Sequence, residues 1–231
     1  MLKIKSLSKN YKDKCVLNKL DFEVSPGEIV ALIGINGAGK STLTETICGV
    51  KDCDEGVVII DGMSIKDKKL RIKIKYTIGY MPQSFCLYND LTVKENLEYL
   101  SSIYKLDIDV DKLMEMCLLK ENADTIASNL SGGYRQLLSL AGAMVHSPKF
   151  LILDEPTSAM DPLFRKEFWK VLKEYNKQGN TILIITHYLE ELLECKRFAC
   201  LSKGRINYEG NVKDFKKKGF VNIEEVLNKF S

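Results

Sequence analysis

Near the N-terminus, apolar and polar positions follow the short period of β-structure. Leu2–Leu7, Leu20–Val24, Glu28–Gly34 and Val57–Asp61 are brief β-like runs, the last held between Gly56 and Gly62, and together they predict a β-rich lobe. The period then lengthens. Val93, Leu97, Leu100 and Tyr104 recur at helical spacing, and Leu113, Met116 and Cys117 continue a second helical pattern, so a helical subdomain is expected over about residues 85–130. Beyond it come a helix over 132–145, the uncut apolar strand Phe150–Leu153, a helix bearing Phe164, Phe168, Val171, Leu172 and Tyr175, and the strand Thr181–Ile185. Apolar strands without alternation, separated by helices, predict a mainly parallel sheet covered on both faces. The fold class is therefore α/β, with an antiparallel β subdomain in front.

Composition adds bounds. The chain has 231 residues, 45% hydrophobic and 28% charged, which suits one globular domain over 1–231 and argues against a disordered or fibrous chain. Apolar runs such as Phe150–Leu153 are far short of the ~20 residues that cross a bilayer as a helix. Met1-Leu2-Lys3-Ile4-Lys5 alternates like a strand rather than a signal peptide, so the chain is expected to stay in the cytoplasm. A net charge of +3 gives no reason by itself to expect nucleic acid. Two basic runs, Lys66, Lys68, Lys69, Arg71, Lys73 and Lys75, then Lys213, Lys216, Lys217 and Lys218, read as solvated faces, with a partner or membrane surface as the alternative. The seven cysteines include no C-x-x-C pair and are expected to be small buried hydrophobes.

Three motifs carry chemistry. Gly34-Ile35-Asn36-Gly37-Ala38-Gly39-Lys40-Ser41-Thr42 lies after an apolar strand and before a helical run. Glycines there let backbone N–H groups curl around phosphate oxygens, the helix start offers its positive end, Lys40 neutralises terminal phosphates and Ser41 can ligate Mg²⁺. The strand Phe150–Leu153 ends in Asp154 and Glu155. At the ligand edge of a parallel sheet, such a pair can hold Mg²⁺ through water and polarise an attacking water, although a helix-capping pair before a turn has the same look. Finally, Leu130-Ser131-Gly132-Gly133-Tyr134-Arg135-Gln136 opens a helix with a serine and two glycines, a second anion cradle.

That third segment, lying between a phosphate loop and an acid pair, resembles the signature sequence of ATP-binding-cassette (ABC) ATPases, and the chain is similar to that family from Tyr11 to its closing helix. The resemblance implies a P-loop NTPase that binds ATP and Mg²⁺ and works as a dimer, homodimeric or heterodimeric. ATP on the Gly34–Thr42 loop of one cassette is covered by Ser131, Gly132 and Gly133 of the other. It implies further roles, each of which has a plainer alternative as packing, loop or helix-start residue: Tyr11 stacking on adenine, Gln83 linking metal and water to the helical lobe, and His187 as a switch histidine. Ser158-Ala159-Met160-Asp161 resembles the family's dimer-communicating D-loop, which puts Asp161 between subunits. The implied catalytic set is Lys40, Glu155 and His187, and the implied metal set is Ser41, Gln83 and Asp154. Ile35, Tyr134, Leu137 and Met160 depart mildly from the common pattern. His146 matches no family motif and reads as structural.

Leu87–Leu97, Thr186–Glu191 and the ending Asn222–Leu227 look like bacterial or archaeal drug, sodium or polysaccharide exporters. A membrane-spanning partner subunit is then implied, with this chain peripheral on the cytoplasmic face and nucleic acid not expected as a partner. The docking surface is expected on the helical lobe near Ser84–Tyr104, where Phe85, Leu87, Tyr88 and Leu91 are clustered apolar side chains, with core packing as the alternative. The rival from another class is a soluble ABC protein acting on the ribosome or DNA, but such proteins usually join two cassettes or insert a long coiled coil.

Overall fold

The computed structural model describes residues 1–12, 14–158, 160–213 and 223–230; Ala159, Lys216, Lys217, Lys218 and Asn222, singled out above, lie outside them. Strands β1 (Leu2–Tyr11), β2 (Lys14–Val24), β4 (Glu55–Ile60) and β5 (Met63–Ser64) form an antiparallel sheet in the order β2-β1-β4-β5. Here alternation buries Leu2 and Ile4 while Lys3 and Lys5 face out, and a register shift around Ser6, at φ 46°, returns Leu7 to the buried face. The second sheet runs β10-β9-β3-β8-β7-β6, where β3 is Ile29–Gly34, β6 Ile78–Met81, β7 Phe150–Asp154, β8 Thr181–Ile185, β9 Arg197–Ser202 and β10 Arg205–Asn211. All its pairings are parallel except β9 with β10.

Every residue of β3, β7 and β8 is buried, which is why their sequences do not alternate. Successive side chains still point to opposite faces. Val30, Leu32, Ile152 and Leu183 pack toward the antiparallel lobe and α1 (Lys40–Ile47), whereas Ala31, Ile33, Leu151 and Ile182 pack toward the helices. Those helices are α3 (Val93–Tyr104), α4 (Val110–Met116), α5 (Gly132–Met144) and α6 (Pro162–Lys177). The other described α-helices are α2 (Arg71–Thr77), α7 (Leu189–Glu194) and α8 (Ile223–Phe230), with short 3-10 turns at Lys120–Asn122 and Ala127–Asn129.

Local chemistry sets the helix starts. Thr92 accepts from the Glu95 backbone at 3.1 Å while the Glu95 carboxylate accepts from the Thr92 N–H at 2.8 Å, a capping box that begins α3. Asp161 caps α6 through the N–H groups of Leu163 and Phe164, with Pro162 at the first helical position.

The α/β class and the antiparallel front lobe expected from the sequence are both present. Neither α2, β6, α7, β9 nor β10 stood out in the sequence. In β6 the cause is Gly79: a Cβ there would meet the Ala143 carbonyl of α5 at 2.2 Å, so this strand carries no side chain where a β-pattern would want one. Cys15 and Cys86 are exposed, unlike the buried thiols expected, because β2 turns Cys15 outward and Cys86 lies on the loop after β6.

Candidate functional site

Parallel strands end at a common edge, and the loops leaving β3, β6, β7 and β8 converge there. A cavity of about 440 Å³ is lined by Asn36, Gly37, Gly39, Lys40, Ser41, Thr42, Gln83, Asp154 and Glu155, together with Lys14 and Val16 of β2. The cavity thus gathers most of the residues expected at the phosphate and metal sites.

The glycine loop has a backbone that requires glycine. Gly37 has φ 81° and Gly39 φ 107°, in the left-handed region, and a Cβ on Gly39 would also press on the Val16 carbonyl at 3.0 Å. The first turn of α1 has neither a side-chain cap nor an acidic residue, so its N–H groups face the cavity uncommitted. Lys40 Nζ donates to the Gly34 carbonyl at 2.8 Å and the Ile35 carbonyl at 3.3 Å, folded back over its own loop.

Asp154 and Glu155 are both buried where β7 ends. Glu155 has φ 48°, a conformation that non-glycine residues rarely adopt and that is fixed here by its N–H donating to the Ile185 carbonyl at 2.8 Å. Its carboxylate is held from two sides. His187 Nδ1 lies 2.9 Å from Oε1, and Gln83 Nε2 donates to Oε2 at 2.9 Å. Since a carboxylate only accepts, the proton of that histidine contact sits on Nδ1.

Electrostatics at the acid pair is unbalanced. Burial, then the neighbouring Glu155 charge, push the Asp154 carboxyl up to about 6, with Lys40 opposing. Burial likewise pushes the Lys40 ammonium down, against the pull of Glu155 and Asp154. Two carboxylates share one ammonium, and a further cation would relieve them. The donors available are the Ser41 hydroxyl, the Asp154 carboxylate and the Gln83 carbonyl oxygen, the last left over because the amide nitrogen is bonded to Glu155. Such a set of oxygen donors suits Mg²⁺.

Other expected residues stand apart from this cavity. Ser131 is exposed at the N-cap of α5 with no side-chain cap bond, and neither it nor Gly132 nor Gly133 lines the cavity. Gly133 is needed for packing, because a Cβ there would strike the Phe164 ring at 2.6 Å. Asp161, expected to communicate across a dimer, spends one carboxylate oxygen on capping α6, beside Phe164. Tyr11 is 39% exposed and its ring lies near the ammonium groups of Lys51 at 5.2 Å and Lys9 at 5.7 Å, outside the cavity lining. Lys14 and Val16 line the cavity instead and were not singled out from sequence; their signal is only that they follow Tyr11 into β2. His146 accords with a structural role, its Nε2 on the Ile78 carbonyl at 2.9 Å and its ring stacked on Tyr104 at 4.2 Å.

A glycine-rich loop over a helix start, beside a buried acid pair at the edge of a parallel sheet, defines a nucleotide-binding α/β domain. Residues 17–158 match the family described as ABC transporter. The chain is 35% identical over 221 residues to "Probable multidrug ABC transporter ATP-binding protein YbhF" of Escherichia coli (strain K12), covering 94% of this chain and 38% of that protein. It is 37% identical over 214 residues to "Nod factor export ATP-binding protein I" of Rhizobium etli, covering 90% of this chain and 67% of that one. Among solved structures, a dimeric ATP-binding cassette in a post-hydrolysis state with ADP and Pi superposes with TM-score 0.83 at 28% identity, over 92% of this chain and 99% of that one. The ATP-binding subunit of an ABC transporter does so with TM-score 0.86 at 29% identity, over 100% and 99%. The chain belongs to the ABC transporter family, as an ABC ATPase domain.

Asp154 keeps its proton to higher pH in the folded chain than its ordinary value of 3.8, so ionising it works against the fold. That cost is absent below the ordinary value and complete once pH passes about 6. Asp154→Asn is therefore expected to stabilise the nucleotide-free chain by ~1–2 kcal/mol near pH 8, a figure reduced for residual solvent screening. Near pH 5 the gain should shrink by about half. Urea unfolding at both pH values checks this, and a gain independent of pH would contradict the burial argument.

Proposed function

We propose that this chain binds and hydrolyses ATP between two copies of itself, and so drives export through a separate membrane-spanning subunit at the cytoplasmic face of the membrane. The observation that carries the proposal is a separation. The Lys40 cavity has its loop, its acids and Gln83, with His187 reaching Glu155 from beside it, yet the Ser131 turn, exposed and uncommitted, takes no part in it. A head-to-tail pair of cassettes gives that turn a phosphate to bind and gives the bound nucleotide a cover. The dimeric post-hydrolysis cassette among the structural relatives supports this arrangement.

The roles are those the family resemblance implies, and the geometry is compatible with them. N–H groups of the Gly34–Thr42 loop and of the first turn of α1 take the phosphates, and Lys40 exchanges its two loop carbonyls for phosphate oxygens. Tyr11, at the end of β1, offers an aromatic face for the base. Ser41, Asp154 and Gln83 would hold Mg²⁺, which supplies charge neutralisation at the β- and γ-phosphates when bound. Glu155 polarises the attacking water with the lone pairs its two present hydrogen bonds leave free. His187 steadies Glu155 through Nδ1–H; as an imidazolium, with a second N–H on Nε2, it would also donate to a γ-phosphate oxygen and so sense the phosphate and the water together. Ser131, Gly132 and Gly133 of the second copy bind the γ-phosphate from the far side, and Asp161 communicates between copies. Hydrolysis followed by loss of phosphate removes contacts that hold the sandwich closed, which couples the reaction to opening. Residues 1–231 act as one cassette in this scheme.

Within the expected stretch 84–104 the apolar cluster is only partly open. Phe85 and Leu87 pack against the helical core, with Arg135 over the Phe85 ring at 5.1 Å, and of the four residues only Tyr88, at 52%, is largely exposed. An apolar groove of about 490 Å³ overlaps that stretch through Leu87, Ile103 and Tyr104 and extends it with Val50, Ile72 and Tyr76. Val50 and Ile72 are 71% and 70% exposed, an unusual outlay of apolar surface. The groove also includes Pro82 and Cys86 on either side of Gln83, so a change at the γ-phosphate can reach it directly. Export as the direction is supported by the names of the multidrug and Nod factor relatives.

Glu155→Gln is expected to bind ATP but to hydrolyse it ~100-fold or more slowly, and to accumulate an ATP-dependent dimer. Turnover and sizing elution measured together decide it; wild-type turnover with no dimer would remove Glu155 from this role. For the partner, Ile72→Cys in a Cys15→Ser, Cys86→Ser background should cross-link to a membrane-embedded protein in native membranes. Cross-links to ribosomal components or DNA instead would replace the transporter reading with its soluble rival.

A further inference from the structure

Glu191 lies in α7, four residues beyond His187, and is completely buried. Its Oε1 accepts from both the backbone N–H of Thr157, at 3.2 Å, and the Thr157 hydroxyl, at 2.5 Å. The Thr186 hydroxyl also interacts with the carboxylate and accepts from the Tyr188 N–H at 2.9 Å. Thr157 and Thr186 are themselves completely buried. This one side chain therefore binds two segments: the one leaving β7 two residues after Glu155, and the one carrying His187.

As a stabilising device Glu191 is a poor choice. Burial raises its pKa despite the hydrogen bonds and the Arg165 charge, and Oε2 makes no hydrogen bond of good geometry. A carboxylate buried with one oxygen unsatisfied costs free energy that an apolar side chain of similar volume would not. What it provides is a fixed distance between two loops, each of which presents half of the Glu155–His187 contact of 2.9 Å. We propose that Glu191 is a positioning residue for ATP hydrolysis: it straps the Thr157 and Thr186 segments together and so sets the geometry in which His187 holds Glu155. The inference rests on the roles given above to Glu155 and His187.

The test is steady-state ATP turnover of the full chain carrying Glu191→Leu, Glu191→Gln or Thr157→Val, with Glu155→Gln alongside. Glu191→Leu keeps the packing and loses the acceptor, so it should melt at or above the wild-type temperature while kcat falls roughly 10- to 100-fold and KM for ATP stays within about 2-fold. Glu191→Gln still offers a carbonyl oxygen to both Thr157 donors and should recover kcat to within about 3-fold of wild type. Thr157→Val removes one donor at constant volume and should lower kcat in the same direction, which also carries the test should Glu191→Leu not fold. Unchanged kcat in a folded Glu191→Leu or, failing that, in Thr157→Val, overturns the proposal, as does a Glu191→Gln no better than Glu191→Leu. A wild-type rate in Glu155→Gln defeats the underlying catalytic assignment instead, whereas a slow Glu155→Gln beside a fully active Glu191→Leu defeats only the strap.

Discussion

The parallel register of β3, β8, β7 and β6 is the constraint on which the site depends. Met81 pairs with Leu153, Asp154 with Ile185 and Leu32 with Ile185, so four strands finish within a residue or two of one line. Parallel strands must all release their loops at that edge. The phosphate loop, the Gln83 segment, the acid pair and the histidine therefore meet without any of them being near another in sequence, except Asp154 and Glu155. A one-residue slip of β7 would turn Asp154 to the opposite face and separate Glu155 from both partners. Every residue of β3, β7 and β8 is packed on one face or the other, so a slip would force both faces to repack.

Convergence has an electrostatic consequence. Two buried carboxylates and one ammonium are brought together in a partly dry cleft, and burial leaves Asp154 reluctant to ionise and Lys40 less willing to stay protonated. The carboxylates outnumber the ammonium, and in the proposed reading a divalent cation bound with the nucleotide would offset both their excess charge and that of the phosphates. The Ser131 turn has the converse need, with a helix N-terminus and an unused hydroxyl on the surface of the same chain. Both demands are met when two copies enclose ATP.

Much of this was legible in the sequence because the signals are local. Gly37 and Gly39 stand where the backbone is left-handed, Asp154 and Glu155 end an apolar run, and Val93, Leu97, Leu100 and Tyr104 recur at helical spacing. Elements whose identity depends on a distant neighbour were not legible: β6 has Gly79 because α5 passes over it, and the exposure of Ile72 or Cys86 is settled only when α2 and the loop after β6 are placed. The same limit hid the Thr157–Glu191 contact, which spans 34 positions, and the entry of Lys14 and Val16 into the cavity. Phe85 and Leu87 read as a docking patch for the related reason that a clustered apolar run looks the same whether it faces the core or a partner.

Enclosure of ATP between two copies is tested most directly by complementation. Lys40→Ala disables the phosphate loop, and Ser131→Arg disables the covering turn, so each protein alone should be inactive. In an equimolar mixture, half of the dimers pair one variant with the other, and each of these has one site with an intact Lys40 facing an intact Ser131 turn. Turnover of roughly one quarter of the wild-type value is expected from that mixture. A mixture no more active than the two variants measured apart would contradict the shared site.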